Sequence, residues 1–457
     1  MLEGGMTLEI MNETHQVQQY TIKDVKRLFT NGQILGSRTV VWAANIEAQS
    51  DDALEMPSGK DLQLIIKSAW LERDLVRHEL DVLEWIQRKG KLEPGSEVEY
   101  NIPIPIGRVL GTSSQPLKLK EWVTFDGQKL ISTIATFCVR ATRIPDQIDI
   151  HQLWAVARSL LQTLRFLHRA GIHYRDLHPG NILMTEAAGP QRCVLVDFGN
   201  ARILKARKGE LGDIVNPPDD GTVNKEDCRA GNDYFMSRRI HILSEDMKQL
   251  GRLERGLPAF RRHCQGDPDG PEEIAAQETD IANEKKNLEN PAYNHRYVDD
   301  WESALYWLLF QANASLEASL EGKNSKTIVE NCLTQILHLD VKKDLWSDTA
   351  EFRAASCVVI PYTKAVESWR ALVDKCQTDL DSPASQNDPD RPAAVIESGP
   401  DPKEMACFDK IIQIVQEAEL RFAPKEEHDL MGPAGPSIKR AYPDQPDNDY
   451  NKRSKNL

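Results

Sequence analysis

Two short apolar runs constrain this chain more than anything else in it: Ile182-Leu183-Met184 and Val194-Leu195-Val196, separated by a turn-prone stretch with Gly and Pro. Runs of this length, bounded by turn residues, predict a small antiparallel hairpin. Asn181 immediately precedes the first run and Asp197 immediately follows the second, so the pairing brings both side chains to one edge. An amide carbonyl and a carboxylate are hard oxygen ligands suited to Mg2+, which draws its remaining oxygens from water and substrate phosphates. That implies a nucleoside triphosphate. Asp176 stands before Asn181 in the same segment, in the loop that follows a long helix, where it suits the acceptance of a proton from an attacking hydroxyl.

The helix before that loop is read from Leu153, Val156, Leu160, Leu164 and Leu167, spaced for one buried face over 151–170 and stopped by Gly171. Further upstream, residues 34–46 and 61–67 carry β-branched and apolar runs that predict strands. A helix is expected to follow directly, with Leu71, Leu75, Val82, Leu83 and Ile86 on its apolar stripe and Gly90 as its stop. Glu79 falls on that stripe, where an unpaired carboxylate is costly to bury, and Lys67 at the end of the preceding run is its natural partner. Strand-like text recurs before residue 139, and an amphipathic helix is expected in Val-Asp-Asp-Trp-Glu-Ser from Val298 onward. Residues 207–233 and 264–294 are polar with little periodicity and predict exposed loops or insertions.

The chain of 457 residues is 40% hydrophobic, enough for an enzyme-sized core, and its formal charge of −14 argues against a general nucleic-acid binder. Eight cysteines without a C-x-x-C pair indicate neither a zinc ribbon nor a disulfide framework, and point to a reducing compartment. No apolar run reaches membrane-spanning length, which gives the expectation of an intracellular protein, cytoplasmic or nuclear, without a membrane partner. Two basic clusters near the C-terminus, within 437–455, fit either solvated tail charge or a nuclear signal.

Taken in order, Lys67, Glu79, the Arg175-Asp176-Leu177 loop, Asn181 and Asp197-Phe198-Gly199 resemble the signature set of the protein kinase superfamily. Lys67 followed by Trp70, Phe235-Met236-Ser237, and the stretch from His295 to Trp307 narrow the resemblance to the fungal-type protein kinase family, over roughly residues 30–375. The resemblance implies an α+β, two-lobed protein-kinase-like fold, with a small sheet-rich N-lobe and a larger helical C-lobe. It implies ATP and Mg2+ as cofactors and a protein substrate phosphorylated on serine or threonine. Asp176 would be the catalytic base, with Lys67, Glu79, Arg175 and His178 around it. Gly36, Val41, Lys67, Asn181, Asp197 and Gly199 would hold the nucleotide, with Asn181 and Asp197 on the metal. Asp300 would be the buried helix aspartate that braces the catalytic-loop backbone, with Asp299 its close competitor.

The expected organisation is an N-terminal leader (1–20), N-lobe (21–140), C-lobe (141–378) with an insertion at about 241–294, a linker (379–404), a C-terminal helix (405–422) and a polar, basic tail (423–457). The hinge is expected near 137–141. Several positions depart from the pattern. Tyr174 replaces the usual His, Gly36 is the lone glycine of the phosphate loop, and Ala230 and Asn232 replace the threonines of the activation segment. His178 stands where serine/threonine kinases carry Lys, as it does in aminoglycoside- and choline-kinase-like enzymes, which keeps a small-molecule acceptor open. A pseudokinase scaffold is the non-catalytic alternative. Arg175 beside the base implies an anion in the segment 198–233, with Thr222 as the modifiable residue.

Overall fold

The computed structural model describes residues 5–30, 39–49, 62–72, 76–89, 101–112, 129–186, 191–203, 235–264, 270–288, 296–319, 363–381 and 402–422. Gly36, Thr222, Ala230, Asn232, His295 and the C-terminal basic clusters lie outside them. Strands dominate the first part of the chain and helices the second, giving an α+β composition.

Strands β1 (Met6–Met11), β2 (Val17–Thr30), β3 (Val40–Gln49), β4 (Leu62–Glu72), β5 (Ile104–Thr112) and β6 (Lys129–Val139) close into an antiparallel barrel in the order β1-β2-β3-β4-β6-β5. The stretch expected as a leader thus contributes β1 and the start of β2. Leu8, Ile10, Tyr20 and Ile22 are fully buried in the barrel interior, at the alternating positions a half-buried strand requires. Closure depends on Gly107, whose φ is +152° and where a side-chain Cβ would stand 2.1 Å from the Met11 carbonyl oxygen. Only glycine allows β1 and β5 to approach this closely.

In β4 the alternation sends Leu62, Leu64 and Ile66 into the barrel core and Lys67 to the opposite face. Val41 of β3 pairs directly with Lys67, so the two share that face. The helix expected from Leu71 onward begins only at His78: α1 spans His78–Lys89, while Leu71 belongs to β4 and Leu75 lies outside the described residues. An apolar residue on a strand face and one on a helix stripe look alike when the pattern window straddles a boundary.

Helix α2 (Ile150–Arg169) forms as its periodicity predicts. Asp149 caps it by accepting the His151 N–H at 2.8 Å, and Leu153, Val156, Leu160, Leu164 and Leu167 are all buried. Between barrel and α2, Val139 ends β6 and β7 (Ala141–Arg143) opens a second sheet, so residues 137–141 mark the passage out of the barrel. After β8 (Ile172–His173), the predicted hairpin appears as β9 (Ile182–Thr185) and β10 (Cys193–Leu195), antiparallel, with Leu183 opposite Val194 and β7 on the outer side of β9. β11 (Arg202–Ile203) then pairs with β8.

The helices that follow are α3 (Arg238–His263), α4 (Gly270–Leu288), α5 (Tyr297–Ser319), α6 (Thr363–Asp381) and α7 (Pro402–Phe422). The loop expected over 264–294 is corrected by α4. Among its described side chains most are exposed, and Gly270, Ile274, Gln277 and Ile281 are the ones that turn inward, one residue per turn. So thin a seam, with a glycine and a glutamine in it, leaves no apolar stripe to read. Salt bridges Arg261–Glu278 and Lys285–Glu254, the latter 2.8 Å, tie α4 to α3. The second core joins α2, α5, α6 and α7 and includes Val82, Leu83, Trp85 and Ile86 of α1. Trp85 also donates its indole N–H to the Ala170 carbonyl at 2.9 Å, which fixes α1 against the end of α2.

Candidate active site

Lys67 sits between two carboxylates. Its Nζ is 2.7 Å from Glu79 Oε2 and 2.7 Å from Asp197 Oδ1. β4 supplies the lysine, the first turn of α1 the glutamate and the second residue beyond β10 the aspartate, so three separate segments meet at one cation. Burial by itself would lower the Lys67 pKa, but Glu79 and Asp197 outweigh it and the ammonium is held above its ordinary range. Burial pushes the Glu79 carboxyl up, against the pull of Lys67. Burial would push Asp197 up as well, yet Lys67 prevails there and its carboxyl is lowered. Glu79 Oε1 also accepts the Phe198 N–H at 3.3 Å, which seats the Asp-Phe-Gly triplet on α1.

The second group is the loop from Tyr174 to Asn181. Asn181 donates from Nδ2 to the Asp176 carbonyl and to Asp176 Oδ2, each at 3.1 Å. Both bonds use the amide nitrogen, so neither occupies the amide oxygen, the atom of the side chain that a cation would take. Burial raises the Asp176 carboxyl, opposed by His178 and by hydrogen bonds from Asn200 and Asn181. Two neighbouring carboxylates are therefore driven apart, Asp176 toward a basic oxygen and Asp197 toward a permanent anion, the division that proton acceptance and metal binding require.

His178 is pinned beside them. Its Nδ1 accepts the Gly180 N–H at 3.0 Å, so in the neutral ring Nε2 carries the proton, and Nε2 lies 3.8 Å from Asp176 Oδ1. Gly180 makes room, since a Cβ there would stand 2.7 Å from His178 Cε1.

Arg175 has φ +70° and Asp197 φ +60°, left-handed conformations that bulky residues seldom adopt. What holds Arg175 there is Asp300 of α5. Its carboxylate, 1% exposed, accepts the Tyr174 and Arg175 N–H groups at 3.0 Å each. His168 Nε2 adds a third contact at 3.4 Å, and His168 Nδ1 in turn accepts from Trp301 at 3.2 Å. Asp300 is therefore the bracing aspartate. Asp299 instead accepts from Ser237 Oγ and Arg296 N, each at 2.7 Å. Tyr174 is fully buried, its ring edge-on to Phe198 at 5.2 Å and its hydroxyl donating to the Val196 carbonyl. The histidine-to-tyrosine change thus joins the catalytic loop to the strand leading into Asp197.

The structure gathers Lys67, Glu79, Asp197 and Gly199, whose N–H donates to Asp197 Oδ1 at 3.3 Å, and gathers Arg175, Asp176, His178 and Asn181 in the adjoining loop. Val41 joins the first group through its register with Lys67. Asn200 and His78 escaped the sequence patterns. Asn200 Nδ2 donates to Asp176 Oδ2 at 3.0 Å, and His78 Nε2 is 2.7 Å from the Ala201 carbonyl oxygen. Adjacency to Asp197-Phe198-Gly199 and to Glu79 was the available signal, but adjacency does not tell which way a side chain turns.

Among the described residues no group of three or more His, Cys, Asp and Glu side chains forms a metal cage. The Asn181 and Asp197 oxygens fit Mg2+ bound together with substrate phosphates, which needs only one or two protein ligands. No helix among the described residues is long and apolar enough to cross a membrane.

Residues 132–217 match the family model of the protein kinase domain. That segment contains Asp176, Asn181 and Asp197, while Lys67 and Glu79 precede it. Fold composition, site and match together support the protein kinase superfamily. The chain is similar to ribosomal protein S6 kinase alpha-2 of Mus musculus, with 32% identity over 200 residues, 41% of this chain and 24% of that protein. It is similar to the serine/threonine-protein kinase PknI of Mycobacterium tuberculosis, with 32% identity over 83 residues, 17% of this chain and 14% of that protein. A third similarity is to the serine/threonine-protein kinase RUNKEL of Arabidopsis thaliana, 26% identical over 159 residues, 32% of this chain and 10% of that protein. The chain spans about a quarter or less of the length of these relatives. The matched segment is that of the protein kinase domain, and two of these three relatives bear the name serine/threonine-protein kinase.

Proposed function

We propose that this chain is an ATP- and Mg2+-dependent serine/threonine protein kinase of fungal type, acting inside the cell on protein hydroxyls. The observation that carries the reading is the convergence of Lys67, Glu79 and Asp197 on one ion-paired cluster beside the Asp176–Asn181 loop. In this reading the barrel and the helical core are the two lobes, with the nucleotide between them. ATP with Mg2+ supplies the transferable phosphoryl group and its charge screening. Lys67, held by Glu79, grips phosphate oxygens, and Asn181 and Asp197 hold the metal. Asp176 takes the proton of the acceptor hydroxyl.

His178 favours a second reading, a small-molecule acceptor. An imidazole in the position of the usual lysine, fixed by Gly180 next to Asp176, matches the loop chemistry of small-molecule phosphotransferases. The deciding experiment supplies purified protein with labelled ATP and Mg2+ and compares label in a protein panel with label in small hydroxylated and amino-sugar acceptors. Transfer to protein that disappears in Asp176→Asn upholds the proposal. Transfer to small acceptors alone assigns the second reading. Absence of transfer, with the variant indistinguishable from the parent, leaves a binding scaffold.

A further inference from the structure

Asn200, the residue after Asp197-Phe198-Gly199, has no part in the roles assigned above, yet it touches the proposed base directly. Asp176 Oδ2 receives two amide donors, Asn200 Nδ2 at 3.0 Å and Asn181 Nδ2 at 3.1 Å. The two anchors differ in kind. Asn181 belongs to the same loop as Asp176 and moves with it, whereas Asn200 arrives from the far side of the hairpin. Asn200 is also held on both sides. Before it, Phe198 N–H is bound to Glu79 Oε1. After it, the Ala201 carbonyl accepts from His78 Nε2 at 2.7 Å, and the Ala201 N–H returns to the Phe198 carbonyl at 3.1 Å. His78 and Glu79 are consecutive residues of α1, and Asp197 is bound to Lys67.

A carboxylate turns readily about its last bond, so one anchor within its own loop does not fix which oxygen faces an acceptor hydroxyl. Two donors from independent segments on a single oxygen do fix it, and they leave Oδ1, the oxygen facing His178, for the acceptor. A neutral amide suits this task. It supplies a directed donor without the full positive charge of lysine or arginine, which would weaken the base and repel a neighbouring cation.

We propose that Asn200 is the positioning residue for Asp176, joining the catalytic loop to the Asp-Phe-Gly segment so that the base is oriented only when that segment is seated on α1. The inference rests on the reading of Asp176 as general base. The test measures ATP-dependent phosphoryl transfer by the full chain as wild type, Asn200→Leu, Asn200→Gln and Asp176→Asn, together with direct binding of a non-hydrolysable ATP analogue. Leucine keeps the approximate shape and loses the donor, while glutamine keeps an amide donor on a longer arm. Loss of one hydrogen bond to a charged group corresponds to a fall of roughly tenfold or more. The expected result is that fall in kcat for Asn200→Leu, with KM for ATP and analogue affinity within about twofold of wild type, and partial recovery in Asn200→Gln. Wild-type kcat in Asn200→Leu overturns the proposal. Loss of analogue binding, or no recovery in Asn200→Gln, assigns Asn200 to the nucleotide site or to folding and overturns it equally. Wild-type activity in Asp176→Asn instead sinks the underlying reading of the base, a separate outcome.

Discussion

Replacing Asp300 by asparagine tests the brace under the catalytic loop. The change keeps the shape of the side chain and removes its charge. Asp300 Oδ2 accepts the Tyr174 N–H and Oδ1 the Arg175 N–H, at 3.0 Å each, at a site only 1% exposed. An asparagine has one accepting oxygen, so either orientation of its amide turns an N–H toward one of the two main-chain N–H groups. A lost charge-assisted bond and a buried unsatisfied donor cost about 2–4 kcal/mol together. The left-handed backbone of Arg175, at φ +70°, resists by about 1–2 kcal/mol and is held by the bond from its own N–H. Once that bond weakens, the preferred relaxation returns φ to negative values and swings Asp176 with it. Urea unfolding of Asp300→Asn is therefore expected to show a stability loss of about 2–4 kcal/mol. At temperatures where the variant remains folded, kcat should still fall steeply while KM for ATP changes little. Asp299→Asn is the control, since Asp299 binds Ser237 and Arg296 instead. It should cost stability while leaving the folded enzyme's kcat close to normal. Equal stability and kcat in Asp300→Asn and wild type, or an equal catalytic loss in Asp299→Asn, would refute the reasoning.

Three further outcomes follow from the geometry. Gly107→Ala puts a Cβ 2.1 Å from the Met11 carbonyl oxygen at a φ of +152°, so the β1–β5 seam should open, with a stability loss beyond about 4 kcal/mol, readable as loss of the cooperative thermal transition. Burial pushes the Glu84 carboxyl from an ordinary 4.5 up to about 7, against Arg77 and Arg88. The folded state then holds that proton more tightly than the unfolded state, and stability falls as pH rises from about 4.5 through about 7. Glu84→Gln should remove this slope, matching wild type near pH 4 and exceeding it at pH 8 by on the order of 2–3 kcal/mol, measured by urea unfolding at both values. Gly180→Ala brings a Cβ to 2.7 Å from His178 Cε1 and must displace the ring. If His178 contacts the acceptor or the phosphate, kcat should drop severalfold with stability within about 1 kcal/mol of wild type; unchanged kcat would remove His178 from the site.

By itself the sequence determined the parts whose information is local. The α2 stripe from Leu153 to Leu167 follows from its 3.6-residue spacing, and the hairpin of β9 and β10 from two apolar runs flanking a Gly/Pro turn, because both signals are written into neighbouring residues. The Lys67–Glu79 pair was also legible, since a buried glutamate on an apolar stripe demands a cation and the strand before it ends in one. Tertiary structure decided what depends on residues far apart in sequence. The barrel drew in β1 because its edge is satisfied only by β5, about a hundred residues later, a pairing no local pattern records. The start of α1 at His78 and the helical state of α4 were hidden by a strand running on past Lys67 and by a seam only one residue wide. Between Asp299 and Asp300, adjacent carboxylates on one helix turn, the family resemblance favoured Asp300 but no local pattern could settle it. Packing chose, because only Asp300 meets the main-chain N–H groups of the catalytic loop. Asn200 is the same lesson at the site itself: its residue type permitted many partners, and the fold placed it on Asp176.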